Sequence, residues 1–295
     1  MGRITANRPV TRISFDGDGE VVARRRADVL AVEEPLEIRL SGQPLVVTMR
    51  TPGHDVELAA GFLVSEGVIG RSDQLAAAIH CGGPGLGAQS MDRPALLETP
   101  ASGNTYNVLD VTLGAGAVAP TPDMARAFVA TSACGVCGAA SIDAVEKSSR
   151  FDVAQDMATM DAAALAELPE RLRVKQAAFA KTGGLHAAGL YDAASGEELI
   201  VREDVGRHNA VDKVVGWALT VGRLPLTGTV LQVSGRVSFE LVQKAAMAGI
   251  PILAAVSAPS SLAVELAAAR GLTLVGFSRG DTLNVYTHPE RIRVG

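Results

Sequence analysis

The sequence predicts an α/β protein in two parts, and three observations predict it. From residue 197 onward, short apolar runs alternate with segments of helical periodicity, whereas the first 50 residues alternate apolar and polar positions as strands do. Residues 114–123, GAGAVAPTPD, interrupt both patterns with small residues and prolines and read as a linker. At 295 residues the chain is long enough for two cores. We therefore expect a smaller α+β N-terminal domain over residues 1–115 and a larger α/β domain over 116–295.

The elements follow in order. In EIRLSGQPLVVTMR two short runs flank Ser41-Gly42-Gln43-Pro44, a hairpin signal. Residues 55–66 place Val56, Ala59, Ala60, Leu63 and Val64 on one helical face, and Gly67 stops the helix. HCGGPGLGAQSMDRP reads as a loop and NTYNVLDVTL as a returning strand. Asp161 suits the cap of a short helix, Pro169 the first turn of the next, and Gly183-Gly184 its end before LHAAGLYD. Then come strand EELIVRED, helix 207–219, strand TVLQVSG, helix 237–248, strand PILAAVS, helix 260–270 and strand LTLVGFS. This alternation implies a largely parallel sheet with helices on its faces. Helix 207–219 turns Val211, Val214, Val215, Ala218 and Leu219 inward, with Arg207, His208, Asp212 and Lys213 on its other face.

Composition narrows the function. With 47% hydrophobic residues, 20% charged and a net charge of -5, the chain has no general affinity for polyanions, and nucleic acid is not an expected partner. No apolar stretch reaches the roughly 18 residues of a membrane span, and MGRITANRPVTRISFDG has no signal-peptide core, so the expected location is cytoplasmic. Three cysteines are too few for a disulfide scaffold. Nothing near Cys81 would lower its pKa, and it reads as a passive loop thiol.

In sheets of this kind, ligands bind beyond the carboxyl ends of the strands. The loops there read REDVGRHN, SGRVS, SAPSS and SRGDT, and supply Arg207, Arg236, Arg279, hydroxyls and free amides at helix starts. That set suits phosphate oxygens. Taken singly, Ser234, Ser257 and Asp204 also read as caps and the arginines as surface charges; three arginines in equivalent loops point to an anion pocket. No Walker A sequence and no G-x-G-x-x-G at a strand-to-helix turn is present, which disfavours a conventional nucleotide hydrolase or dehydrogenase. His186 and His208 each follow glycines at the edge of the sheet, as hydrogen-bonders or as direct participants.

SACGVCGAASIDAVE, residues 132–146, sets Cys134 and Cys137 three positions apart. A zinc deaminase would pair P-C-x-x-C with an H-x-E; here Ala133 replaces the proline, and His54 is followed by Asp55, Val56 and only then Glu57. A structural zinc site lacks its second ligand pair, so no bound metal is expected. Dithiol exchange is open to any C-x-x-C, but that motif normally opens a helix in an early βαβ unit, whereas this one follows a linker and is wrapped in glycine. The third reading is sulfur carriage on an exposed thiolate, for which Cys137 gains from the N-terminus of a helix expected over 138–147.

CGVCGAASID, TGGLHAAGL, REDVGRHNAVDKVVG, SGRVSFELVQKAAMAGIPILAAVSAPSSLAVELA and LTLVGFSRGDTLNVYTHPERI together resemble the formate dehydrogenase accessory sulfurtransferases, the FdhD/NarQ family. The resemblance runs from about residue 45 to the end. It implies that a cysteine desulfurase passes persulfide sulfur to the C-x-x-C loop and that the protein hands it to the molybdenum bis-guanine-dinucleotide cofactor destined for formate dehydrogenase. It further implies a homodimer and a cytidine-deaminase-like three-layer C-terminal domain without the zinc chemistry. Both motif positions are filled, so the catalytic role carries over to Cys134 and Cys137 with their order open. The family's cofactor-binding stretch maps onto Phe277, Ser278, Arg279, Gly280, Asp281 and Thr282, and Arg236, His186 and Arg207 join it from the neighbouring loops, with guanosine diphosphate as a mimic of the ligand. The rival reading is a non-catalytic chaperone that holds the molybdenum cofactor for apo-formate dehydrogenase.

Overall fold

A computed structural model describes residues 3–15, 21–81, 106–118 and 149–295. Cys134, Cys137, the helix expected over 138–147, half of the expected linker and most of the glycine-rich loop after His80 lie outside the described residues.

The chain opens with a two-stranded antiparallel ribbon, β1 (Thr5–Phe15) and β2 (Val21–Ala31). The expected hairpin follows as β3 (Glu34–Leu40) and β4 (Gln43–Arg50). Its turn is only Ser41-Gly42, both at positive φ (48° and 82°), the backbone twist that two-residue hairpins require. Gln43 and Pro44 belong to β4, where a bulge between Ile38 and Arg39 accommodates the proline. Helix α1 (Asp55–Ser65), β5 (Leu75–His80) and β6 (Val108–Leu113) complete a sheet of order β4-β3-β6-β5.

The second part comprises β7 (Met160–Asp161), α2 (Ala162–Lys175), α3 (Ala177–Thr182), β8 (His186–Asp192), β9 (Glu198–Asp204), α4 (Arg207–Thr220), β10 (Thr229–Val233), α5 (Phe239–Met247), β11 (Ile252–Ala255), α6 (Ser261–Ala269), β12 (Thr273–Arg279), β13 (Thr282–Thr287) and β14 (Ile292–Arg293). Six strands form one sheet in the order β13-β12-β11-β10-β8-β9. The expectation of a largely parallel sheet is corrected: β10, β11 and β12 are parallel, but β8, β9 and β13 join antiparallel. The cause is local. Asp192 accepts from the amides of Ala194 and Ser195 and from the Ser195 hydroxyl, which turns β8 straight into β9, and Gly280 turns β12 into β13.

A second correction concerns Pro169, which lies inside α2 and starts no helix. Asp161 caps α2 through the amides of Ala163 and Ala164, and Leu165, Leu168 and Leu172 seat the helix on the sheet from both sides of the proline. Burial of that stripe carries the helix across the missing amide.

Strand alternation builds two core layers. Leu231, Val233, Leu253, Ala255 and Leu274 face α4, α5 and α6, in a core continuous with Leu36, Ile38, Leu109 and the α1 side chains. Val230, Ile252, Ala254 and Val275 face the other way, onto Leu165 and Leu168 of α2. Helices α1 and α4 meet backbone to backbone: a Cβ on Gly61 would lie 1.8 Å from the Asp212 carbonyl oxygen, and one on Gly216 1.8 Å from that of Glu57. Only glycine allows such an approach. It also corrects the reading of α4, because Asp212 and Lys213 are buried in this packing and do not face solvent. Among the described residues, no helix is long and apolar enough to cross a membrane.

Candidate functional site

Strands β9, β10, β11 and β12 all end at one edge of the sheet, where β8 and β13 begin. The loops singled out in the sequence therefore converge there.

His186 opens β8 opposite Asp204, the last residue of β9. Gly235 lies beside them, so close that a Cβ on it would stand 3.3 Å from His186 Nδ1 and 3.9 Å from Arg207 Cδ. His186, Gly235 and Arg207 thus share one hollow. Burial, then the charges of Arg207 and His208, push the His186 imidazole below its ordinary pKa, which favours the neutral ring. Arg207 is the first residue of α4, and its buried Nε has no hydrogen-bond partner among the described residues. A buried, unpartnered guanidinium nitrogen at a helix start beside Gly235 is a donor suited to an anion.

Asp204 has a different task. Fully buried, it pairs with Lys213 Nζ at 2.7 Å and accepts from the amides of Thr51 and Gly206 and from Asn209 Nδ2. It holds the loop that presents Arg207. Ser234 is likewise spent on the backbone, accepting from the Ala187 amide at 2.8 Å, and Ser260 caps α6 through the Ala263 amide. Arg236 stands exposed in the loop after β10, a loop tied to the one after β11 by the Val237–Pro259 bridge.

The end of β12 is irregular. Its register shifts between Gly276 and Arg279, and Phe277 takes a φ of 52°, a conformation that large side chains rarely adopt. Gly276 makes this possible, since a Cβ there would meet Pro259 Cδ at 2.9 Å. The Phe277 ring is left exposed, while Ser278 is fully buried with its hydroxyl unpartnered among the described residues. Arg279 donates Nε to the Val256 carbonyl at 2.8 Å, which fixes its guanidinium over the neighbouring loop. Gly280 at positive φ and exposed Asp281 form the turn to Thr282. Arg279 and Gly280 also border a cavity of about 670 Å³, whose opposite wall is α2 with Arg171 and Arg173. Those two arginines stack on Tyr191 and Phe179 at 5.3 and 4.5 Å.

One constellation was missed. His208 Nε2 lies 2.9 Å from Glu240 Oε2 and 3.1 Å from Ser238 Oγ, and the bond to His208 holds the Glu240 carboxyl below its ordinary pKa. The partners sit about 30 residues apart at the starts of two helices, and no local spacing announces them.

These features define an α/β protein with a basic, glycine-lined strand edge. The comparisons make it more particular: the chain belongs to the FdhD/NarQ family, whose model matches residues 31–293. It is 54% identical over 290 residues to the sulfur carrier protein FdhD of Mycolicibacterium paratuberculosis, covering 98% of this chain and 99% of the relative. The sulfur carrier proteins FdhD of Mycobacterium tuberculosis and Streptomyces avermitilis are each 54% identical over 293 residues, covering 99% of this chain and 100% and 97% of their own. A Desulfotalea psychrophila protein described as a candidate formate dehydrogenase accessory protein has the same fold in its crystal structure, with a TM-score of 0.68 at 23% identity, covering 97% of this chain and 99% of that one.

Proposed function

We propose that this chain is a sulfur carrier in formate dehydrogenase maturation. One observation carries the reading: near-full-length identity of 54% to proteins named sulfur carrier protein FdhD, in a chain that has the cysteine pair Cys134 and Cys137. A thiolate of this pair attacks the terminal sulfur of a persulfide on a cysteine desulfurase. One S–S bond forms as another breaks, the donor leaves as its own thiolate, and the exchange needs no outside oxidant or reductant.

The acceptor in this reading is the molybdenum bis-guanine-dinucleotide cofactor, which enters as a substrate. The strand edge fits such a polyanion, because Arg207 has an unpartnered buried Nε and Ser278 an unpartnered buried hydroxyl. Arg207, His186, Arg236 and Arg279 would hold phosphate, and exposed Phe277 with Ser278, Gly280, Asp281 and Thr282 would border the base. The reading extends to a cytoplasmic homodimer whose residues 116–295 form a cytidine-deaminase-like three-layer domain beside an N-terminal one over 1–115; helices on both faces of the mixed sheet support the layering.

Mass spectrometry after incubation with a desulfurase and cysteine tests the proposal. One added sulfur mass per chain is expected, removable by reductant and absent from a Cys134→Ser/Cys137→Ser double variant. Unchanged labelling of that variant refutes the assignment. Unlabelled wild type that still binds guanosine diphosphate would favour the cofactor-holding chaperone, a reading supported by a strand edge that needs no thiol.

A further inference from the structure

We propose that the free edge of β2 takes an extended acidic segment of another protein as a third strand of the β1–β2 ribbon, with carboxylates set beside Arg24 and Arg26. The backbone ladder identifies the edge. The Val32 amide donates to the Ile4 carbonyl at 3.0 Å, in the same register as the ribbon itself. Bonded and non-bonded pairs alternate in an antiparallel ladder, so even-numbered residues bond across the ribbon and odd-numbered ones turn N–H and C=O outward. On β1 the outward row contains Pro9, which has no N–H to give. On β2 it runs unbroken through Ala23, Arg25 and Ala27, and residues 23–27 are all exposed. The body meets β2 further on, where Ala31 lies against Gly184. Among the described residues, no third strand joins the ribbon.

The side chains select the occupant. Successive residues of a strand alternate faces, so Arg24 and Arg26 share one face with Arg8 and Arg12, and Arg25 stands on the other beside Thr11. Arg24 is directly opposite Arg12, a like-charged pair that disfavours the ribbon on its own. Asp28, on the same face, takes Arg26 at 3.1 Å. Among the described residues, no carboxylate lies within ion-pair distance of Arg12, Arg24 or Arg25. A strand with acids at alternate positions relieves that repulsion and satisfies the outward backbone groups in one contact. The same arginines repel a second β2 edge, which would bring like charges together.

The reach of the charge favours a peptide segment over larger polyanions. Residues 1–31 carry six arginines against four acids, in a chain whose net charge is -5, so everything after the ribbon is acidic in balance. A duplex or an anionic membrane extends past the arm and meets this acidic body, whereas one acidic segment meets the arginines alone. The family model begins at residue 31, where β2 ends, so the arm lies ahead of the matched core and is independent of the sulfur reading.

Fluorescence anisotropy of the full chain with a labelled peptide of alternating glutamate and valine, the length of β2, tests the arm. Saturable binding that weakens as salt rises is expected, and Arg24→Glu/Arg26→Glu should raise the dissociation constant at least about tenfold. That variant should bind a peptide of alternating lysine and valine at least about tenfold more tightly than wild type does, a reversal that a misfolded arm would not give. With glutamates beside Arg24 and Arg26, the valines bond to Ala23, Arg25 and Ala27. Methylating the valine amides should therefore weaken binding at least about tenfold, and methylating the glutamate amides less than about threefold. No saturable binding, no charge reversal, or equal effects of the two methylations overturns the proposal. Vesicles of anionic lipid or duplex DNA bound more tightly than the acidic peptide overturn it in favour of a membrane or a nucleic acid.

Discussion

Replacing Lys213 by methionine should cost about 3–5 kcal/mol of stability, the usual penalty for leaving a buried charge without its partner. Lys213 and Asp204 are 1% and 0% exposed and 2.7 Å apart. Methionine matches the length of the lysine stem, so little volume is lost. What disappears is the cation, along with its bonds to the carbonyls of Thr51 and Glu203 at 3.0 and 3.4 Å. Asp204 keeps three neutral donors but no counter-charge. Against a total of about 5–15 kcal/mol, the loss takes about a fifth or more. At about 2–4 °C per kcal/mol, the melting temperature should fall by roughly 6–20 °C. The informative variant is Lys213→Met with Asp204→Asn, which removes both charges while an amide oxygen still accepts from Gly206. Urea titrations should find it less destabilised than the sum of the single variants by about 1–3 kcal/mol. Additive losses, or a Lys213→Met protein within about 1 kcal/mol of wild type, would refute the reasoning.

Glu57 is subject to burial that would raise its carboxyl, but two bonds from Arg202 at 2.6 and 2.8 Å, with His54, hold it at about 2. Its contribution is therefore fully present above its ordinary 4.5 and lost as pH falls toward 2; Glu57→Gln should flatten the acid limb of a urea-midpoint profile over that window and cost on the order of 3 kcal/mol at neutral pH. His186 carries a lowered pKa, so stability present above 6.5 is lost as pH falls below it, and a phosphate that approaches the ring should make guanosine diphosphate binding take up protons as pH falls below 6.5. Calorimetry in two buffers reads this, and His186→Gln should abolish it; equal uptake would place the phosphates elsewhere. Arg279→Ala should weaken guanosine diphosphate binding by about 1.5–3 kcal/mol, with the difference shrinking as salt rises; equal calorimetric affinities would mean the stretch from Phe277 to Thr282 does not hold phosphate. Gly216→Ala must relieve a 1.8 Å approach to the Glu57 carbonyl, and should destabilise by about 3 kcal/mol, the upper end of the usual overpacking range, in thermal unfolding.

The parts of the fold legible in the sequence are those whose determinants are local. Alternation and helical periodicity located α4, α5, α6 and the strands between them, and Asp161 announced the cap of α2. Sheet direction was not legible, because the Asp192 turn that makes β8 and β9 antiparallel neighbours reads as an ordinary polar loop. Nor was the fate of Asp212 and Lys213. A helical pattern sends charged residues to solvent, and only tertiary partners, Lys244 at 2.7 Å and Asp204 at 2.7 Å, reveal that both are buried. The strand edge was read by its arginines; the Glu240–His208 contact and the Phe277 bulge depend on long-range packing that no spacing encodes.

The side chains gathered at that edge come from residues 186–282, yet the N-terminal half positions one side of it. Three ion pairs join α4 or β9 to the layer beneath: Asp204–Lys213 reaches the Thr51 backbone, Arg202 takes Glu57 of α1, and Asp212 with Lys244 takes the Ser65 hydroxyl at the end of α1. Gly61 and Gly216 let the two helices close until their backbones touch. Burying so many charges gains little stability in itself, because desolvation offsets most of the attraction. What it does supply is a fixed orientation, since each pair is satisfied only when α1, α4 and β9 stand in one relation. Helix α4 begins with Arg207, so the same restraints that dock the N-terminal sheet also hold that side chain in the hollow beside Gly235. A site that holds a polyanion against water, as proposed for this edge, needs donors that do not reorganise on binding, and here the acids behind the edge keep the bases in front of it in place.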